Sequence, residues 1–234
     1  MACNCGKCGH EICTYRVPIF SNLSSEEMIE VTKLIVHKNY EKGENIFLEQ
    51  NELDSLIIIN KGKVKAYKYT AEGKEQILYI FSQGDFLGEN NLLKNTKASY
   101  NVEVLEKTYI CTIKKEDFQK LIIEKPKIAL KVIEELSRRI ERLENSVQNM
   151  GTKNSEIRVN LVLLEFIERY GIHSNEGIVI NLPLSREGIA NYIGVTRETV
   201  SRKLSLLYDE EIIDIIGNKK IIILNKEALE DSIK

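Results

Sequence analysis

Four of the five cysteines of this chain crowd into its N-terminal segment. They are Cys3, Cys5, Cys8 and Cys13, with His10 among them. Because intracellular thiols are kept reduced, such crowding favours metal binding over a disulfide. Ligands this close together can hold zinc, and thiols without metal can respond to oxidation. Cys111 stands apart between Ile110 and Ile113, surroundings typical of a small buried apolar residue. The three histidines are expected to be ordinary surface residues, unless His10 binds zinc; they are His10, His37 and His173.

A second group of residues, from Ser185 onward, predicts two short helices joined by a tight turn. Ser185 can cap a first helix that ends at Gly194, and Thr196 can cap a second helix that begins almost at once. Ala190 is small enough for two helices to approach closely, and Gly194 can adopt the left-handed turn between them. Val200 then returns an apolar contact to the first helix. The spacing predicts a helix-turn-helix.

The exposed face of the second helix carries the side chains that could read DNA. These are Thr196, Arg197, Glu198, Thr199, Ser201 and Arg202. Arginine can donate two hydrogen bonds to guanine, glutamate can accept one from cytosine, and hydroxyls suit phosphates or mixed base contacts. A second helix packed at a steep angle can enter the major groove. The alternative is a solvated helix face with ordinary glutamate–arginine pairs.

Charge does not support nucleic-acid binding by itself. The chain has a net charge of −2, and Ser155–Lys234 holds 10 basic and 13 acidic residues, a balance of −3. A DNA-binding domain is usually basic. At physiological salt, screening limits the range over which exposed charges interact to about 8–10 Å. A few well-placed cations on one helix must therefore supply the phosphate contacts.

The elements before this helix pair predict an α+β protein. A capping box at Ser24 and Glu27 starts a short helix. Short β-branched runs separated by glycine turns follow, which predicts a many-stranded β domain. The predicted strands are Ser55–Asn60, Val64–Tyr69, Gln76–Phe81, Tyr100–Leu105 and Thr108–Ile113. After the helix pair, Ile212–Ile216 and Lys220–Leu224 predict a hairpin that turns at Gly217.

A long helix after Pro126 carries an apolar heptad seam. Its members are Ala129, Ile133, Leu136, Ile140, Leu143, Val147 and Met150. This repeat predicts a coiled-coil partner and therefore a homodimer. An amphipathic helix lying on its own β domain is the alternative, because periods of about 3.5 and 3.6 residues separate poorly over this length.

These elements divide the sequence into four parts. They are a cysteine-rich sensor segment at 1–20, a β-roll at 21–125, a dimerisation helix and hinge at 126–153, and a DNA-binding domain at 154–234. The hydrophobic content of 43% is ordinary for a globular protein. No apolar run reaches the roughly 18 residues of a membrane span, and residues 1–20 lack a signal peptide's apolar core. A cytoplasmic location is therefore expected.

The helix pair resembles the signature of a known family. The Crp/Fnr superfamily of transcription regulators carries a winged-helix motif similar to Leu184–Arg202, LSREGIANYIGVTRETVSR. The likeness extends over nearly the whole chain. It implies a cyclic-nucleotide-binding-like β-roll, a long dimerisation helix, a C-terminal winged helix-turn-helix, and DNA and RNA polymerase as partners rather than enzymatic activity. Glu198, Ser201 and Arg202 resemble the Fnr branch, which reads TTGAT…ATCAA palindromes. Arg197 departs from that pattern, so the base preferred at one position of the operator stays open.

The resemblance also bears on what is sensed. Cyclic-AMP-responsive relatives hold the nucleotide with Gly-Glu-Leu and Arg-Ser-Ala segments, whereas this chain has Gly88 and Glu89 but Lys97 and Ala98. Cyclic nucleotide binding is disfavoured, because lysine does not replace the bidentate arginine.

The cysteines instead resemble the cluster-binding segment of Fnr. The resemblance implies Cys5, Cys8, Cys13 and Cys111 as ligands of an oxygen-labile 4Fe-4S cluster, with Cys3 as a possible substitute. Sensing of nitric oxide, zinc or thiol oxidation through the same cysteines is the alternative within this fold. An iron–sulfur electron-transfer protein is the alternative from another class.

Overall fold

The computed structural model describes residues 17–89, 96–151 and 154–233, which divide into two compact units. The first unit contains the described residues up to Lys68 together with Leu78–Ile140. The second contains Tyr69–Ile77 and Glu141–Lys234. Four predicted metal ligands lie outside the described residues, namely Cys3, Cys5, Cys8 and Cys13.

The first unit begins with a short 3-10 turn at Pro18–Phe20 and helix α1 at Ser25–Lys33. The hydroxyl of Ser24 accepts a hydrogen bond from the backbone N–H of Glu27 at 3.3 Å. In return, Glu27 Oε2 accepts one from the backbone N–H of Ser24 at 2.8 Å. The predicted capping box is therefore confirmed.

Short antiparallel strands follow and build the β-roll. They are β1 Val36–Tyr40, β2 Asn45–Phe47, β3 Ser55–Lys61, β4 Val64–Tyr69, β5 Glu75–Phe81, β6 Phe86–Leu87, β7 Asn101–Val104 and β8 Thr108–Lys114. The described strands form two four-stranded sheets, in the orders β1-β8-β3-β6 and β2-β7-β4-β5. The predicted many-stranded β domain is confirmed.

Strand β3 separates two apolar cores. Its side chains alternate between faces, as those of any strand do. Leu56 and Ile58 join a core with the N-terminal turn, whereas Ile57 and Ile59 join the core between the sheets. Both faces of β3 are buried, which explains why its sequence is a continuous apolar run.

Helix α2, Lys115–Glu124, and the long helix α3, Pro126–Gly151, follow the last strand. The first turns of α3 lie on the β-roll, because Ile128 and Val132 are buried in the core that contains the N-terminal turn. Leu136 packs against the same core and is half-buried. The predicted alternative, a helix lying on its own β domain, therefore describes the start of α3.

Another face of α3 stays exposed. Three seam residues at heptad spacing remain open, with Ile133 59%, Ile140 57% and Val147 69% accessible. Met150 is also exposed, while Ala129 and Leu143 are half-buried. The heptad seam is therefore only partly covered by the chain's own residues.

A buried ion pair fixes α3 to the β-roll. The guanidinium of Arg139 donates to Glu89 Oε1 and to the backbone oxygen of Phe86, both at 2.8 Å. The guanidinium also lies 5.0 Å from the ring centre of Phe81 and 5.2 Å from that of Phe86. Only 4% of the Glu89 side chain is exposed. Its second oxygen has no hydrogen-bond partner within the described part of the chain.

The second unit packs helices against a small sheet. Its elements beyond α3 are α4 Ser155–Tyr170, β9 Gly171–Ser174, β10 Gly177–Asn181, α5 Arg186–Ile193, α6 Arg197–Asp209, β11 Ile213–Ile216, β12 Lys220–Ile223 and α7 Lys226–Asp231. The strands pair antiparallel in the order β11-β12-β10-β9. The predicted hairpin is confirmed as β11 and β12, with Gly217 at φ +63° in its turn.

Within residues 17–89, 96–151 and 154–233, no helix combines the length and apolar character that a bilayer crossing requires.

Arg139→Gln should lower the free energy of unfolding by about 3–5 kcal/mol, because it leaves the Glu89 carboxylate buried without its partner. Urea unfolding followed by circular dichroism measures this. Arg138→Gln is the matched control, since Arg138 pairs with Glu134 and Glu135 on an exposed face of the same helix. It should change stability little. Equal losses in the two variants would contradict the importance of the buried pair.

Candidate functional site

Hydrogen bonds at both helix starts define the helix-turn-helix. The hydroxyl of Ser185 accepts from the backbone N–H of Gly188 at 3.1 Å, and that of Thr196 accepts from the N–H of Thr199 at 3.2 Å. Gly194 ends α5 in the left-handed conformation, with φ 66° and ψ 46°. Both predicted caps and the predicted turn are therefore confirmed.

Apolar contacts hold the two helices together. Ala190 on α5 and Val200 on α6 are both buried, as their spacing predicted. The backbone N–H of Val195 donates to the oxygen of Ala190 at 3.1 Å, which draws the turn tightly against α5. Leu204 and Leu207 continue the buried face of α6. The opposite face of α6 is left for a partner.

Arg158 on α4 supports the turn from the side. Its Nη1 donates to the backbone oxygens of Ile193 and Gly194 at 3.3 and 3.2 Å. These oxygens lie at the end of α5, where carbonyl groups lack partners within the helix. Sequence reasoning missed Arg158, because no local pattern links it to a turn that follows more than thirty residues later.

The predicted DNA-reading residues lie on the outer face of α6. Arg197, Glu198 and Arg202 are exposed, and Ser201 is half-buried. The remaining two, Thr196 and Thr199, are hydrogen-bonded to each other at 3.1 Å between their hydroxyl oxygens. These threonines therefore serve the helix start, while the other four side chains present donors and acceptors outward.

Glu198 is held in its charged form. Hydrogen bonds from its own backbone N–H and from the Thr196 hydroxyl lower the pKa of Glu198, and the nearby charge of Arg197 acts in the same direction. An ionised carboxylate is an acceptor, as a contact to the amino group of cytosine requires.

Arg202 has an internal partner. Its Nη2 lies 3.1 Å from Oε1 of Glu156, a residue in the first turn of α4. Glu156 was not among the residues predicted from the sequence. It lies 46 positions earlier, so no helical spacing could reveal the pair.

Cys111 lies in β8 and is buried, with 2% of its surface exposed. Its sulfur is 3.4 Å from Nδ1 of His37, which faces it across the pairing of β1 with β8. Partial burial lowers the pKa of His37. His37 is exposed, as expected. Its contact with Cys111 was not predicted, since β1 was not predicted.

The core around Cys111 also contains the residues that follow the N-terminal cysteines. Val17, Ile19 and Phe20 are buried in the same cluster as Cys111. Among residues 17–89, 96–151 and 154–233, no three potential ligands gather into a metal site. The predicted ligands other than Cys111 lie outside those residues.

The fold and the outward face of α6 define a DNA-binding regulator of the winged helix-turn-helix class. Residues 37–125 match the family model described as cyclic nucleotide-binding domain, and residues 158–232 match the Crp-like helix-turn-helix domain. The chain belongs to the Crp/Fnr family of transcription regulators, which are not enzymes. This family membership confirms the resemblance predicted from Leu184–Arg202.

Individual relatives extend over nearly the whole chain. The probable transcriptional regulator flp of Lacticaseibacillus casei is 32% identical over 94% of this chain and 97% of its own length. The fumarate and nitrate reduction regulatory protein of Vibrio cholerae is 29% identical over 88% of this chain and 82% of its own. The structure of FixK2 from Bradyrhizobium japonicum superposes with a TM-score of 0.75 at 26% identity, covering 84% of this chain and 96% of that one.

Proposed function

We propose that this regulator senses oxygen or redox state through a 4Fe-4S cluster and binds a TTGAT-type palindrome as a homodimer. The ligands proposed are Cys5, Cys8, Cys13 and Cys111. One observation carries the proposal: Cys111 is buried in the same core as Val17, Ile19 and Phe20, which follow soon after the cysteine triplet. The name of the Vibrio cholerae relative links it to fumarate and nitrate reduction, which agrees with a redox signal.

The residues around Cys111 suit such a cluster. Four residues of extended chain span at most about 14 Å, so the covalent link from Val17 allows Cys13 to approach the β-roll. Four thiolates are the usual donor set for a 4Fe-4S cluster, which supplies oxygen-sensitive redox chemistry when bound. Ile58 and Ile113, buried in the same core, keep water from the Cys111 sulfur.

The exposed seam of α3 supports a homodimer. Ile133, Ile140 and Val147 recur at heptad spacing, and large apolar side chains at such positions normally pack against a second helix. A parallel pair of α3 helices would bring two copies of α6 to one face of the DNA. Half-sites of helix-turn-helix dimers lie about 34 Å apart, one helical turn of the duplex.

The core that contains Cys111 also provides a route from the sensor to α3. Ile128 and Val132 of α3 are buried in that core. A change in the packing around Cys111 therefore alters the surface on which α3 begins. We propose that cluster loss shifts α3 away from the dimeric arrangement and weakens DNA binding.

The β-roll is proposed to work without a cyclic nucleotide. Lys97 is exposed and Ala98 is buried. Neither side chain has the paired N–H donors with which an arginine binds a phosphate. Glu89 lies in the Gly-Glu segment that resembles the ribose-binding one, and its Oε1 accepts a hydrogen bond from Arg139. The chain's own arginine therefore engages one of the two oxygens of this carboxylate.

The Cys111→Ser variant should lose the cluster, because it removes one of four thiolates. Protein purified without oxygen is analysed for iron, sulfide and zinc and by visible spectroscopy. The wild type should be brown, with iron and sulfide in equal amounts, and the variant should retain little of either. The matched control is Cys3→Ser, which should keep the cluster. Colourless wild-type protein with stoichiometric zinc would contradict the proposal and favour the zinc alternative.

Arg202→Ala should weaken binding to a TTGAT…ATCAA duplex by about 5- to 150-fold per half-site, as expected for the loss of a base contact worth about 1–3 kcal/mol. Fluorescence anisotropy measures the affinity. Lys226→Ala is the control, because it removes a cation of the same domain that lies on α7, outside the helix-turn-helix. An unchanged affinity for Arg202→Ala would refute the proposed mode of reading.

A further inference from the structure

Arg202, the arginine proposed to read DNA, is already engaged by a carboxylate of its own domain. Nη2 of Arg202 and Oε1 of Glu156 are 3.1 Å apart, and the two side chains are 63% and 31% exposed. Among residues 17–89, 96–151 and 154–233 the guanidinium has no second partner, so its other N–H groups can bind DNA. A DNA group that needs the same side of the guanidinium must displace Glu156.

The helix start fixes the position of Glu156. The side-chain oxygen of Asn154 accepts a hydrogen bond from the backbone N–H of Glu156 at 2.9 Å, which caps α4. A carboxylate in the first turn of a helix is also stabilised by the helix dipole. Two residues further on, Arg158 holds the turn before α6. The first turn of α4 therefore positions both the turn between α5 and α6 and the guanidinium of Arg202.

The energy of this pair is suited to selection between DNA sequences. An exposed ion pair stabilises by an amount that corresponds to about 2- to 5-fold in affinity. A single phosphate contact offers a comparable gain, so phosphate and Glu156 compete for Arg202 on nearly equal terms. A bidentate contact to guanine is stronger and fixed in geometry, so it overcomes Glu156. Glu156 also repels phosphates that come near it.

We propose that Glu156 is a specificity-determining residue, which withholds Arg202 from phosphates of non-cognate DNA and yields it to guanine in the operator. Discrimination then arises partly from weakened binding to wrong sequences. This inference rests on the proposed role of Arg202 in operator reading. It does not depend on what the cysteines hold.

The test uses the full chain purified without oxygen and the variant Glu156→Gln, which keeps the shape and removes the charge. Two labelled duplexes of equal length and composition are compared, one with the TTGAT…ATCAA palindrome and one with that sequence shuffled. Affinities are measured by anisotropy over a series of KCl concentrations. The salt dependence reports the number of phosphate contacts.

The variant should bind the shuffled duplex about 2- to 5-fold more tightly per protomer, because Arg202 is released to phosphate. The salt slope on this duplex should steepen by about 0.9 for each Arg202 that gains a phosphate. Affinity for the palindrome should rise less, so the ratio of the two affinities falls.

Glu168→Gln is the matched control, since Glu168 is an exposed carboxylate further along α4. It changes the net charge equally and should leave the salt slope and the affinity ratio unchanged. In an Arg202→Ala background, Glu156→Gln should no longer alter the ratio. Together these variants separate a contact with Arg202 from a general effect of charge.

Two results would overturn the proposal. Identical behaviour of Glu156→Gln and Glu168→Gln would show that Glu156 acts only through net charge. A loss of palindrome affinity with unchanged binding to the shuffled duplex would show that Glu156 orients Arg202 for reading. A wild type that does not prefer the palindrome would refute the proposed operator instead, and the salt slope on the shuffled duplex would still decide whether Glu156 withholds Arg202.

Discussion

The apolar core around Cys111 is the constraint on which the first unit depends. It joins the N-terminal turn, strands β3 and β8 and the first turns of α3 through side chains that are at most 5% exposed. Close-packed interiors transmit small displacements, because a side chain that moves leaves either a void or a clash. Val17, Cys111 and Val132 therefore cannot rearrange independently. The buried pair of Glu89 and Arg139 adds a second attachment of α3 to the β-roll.

The DNA-binding unit meets a different constraint, since it must bind a polyanion despite its net negative charge. Local geometry supplies the solution. Gly194 and the caps at Ser185 and Thr196 place α6 so that its cations face outward. Glu156 reduces the cationic character of that face further. Because this unit attracts DNA phosphates only weakly, its binding depends strongly on base contacts. A dimer, which doubles those contacts, is therefore expected to be favoured.

Local signals in the sequence predicted much of the fold. The caps at Ser24, Ser185 and Thr196 depend on residues a few positions away, and the structure confirms each of them. Strand β1 was missed because its residues are mostly exposed and polar, so it lacks the alternation that marks a half-buried strand. Strand β6 has two residues, too few for any pattern.

Pairs formed between distant parts of the chain could not be predicted. Arg139 with Glu89, His37 with Cys111 and Arg202 with Glu156 are separated by 50, 74 and 46 positions. Only the fold brings such residues together, and one sequence holds no signal of their proximity. The set of cluster ligands came from a family resemblance for the same reason, and it stays a prediction.

Control of DNA binding by the cluster is tested most directly on one sample. Affinity for the TTGAT…ATCAA duplex is measured without oxygen, and again after brief exposure to air while the visible absorption of the cluster is followed. The proposed function predicts that affinity falls in step with the loss of absorption and that added reductant alone does not restore it. Affinity that stays constant while the absorption disappears would contradict it.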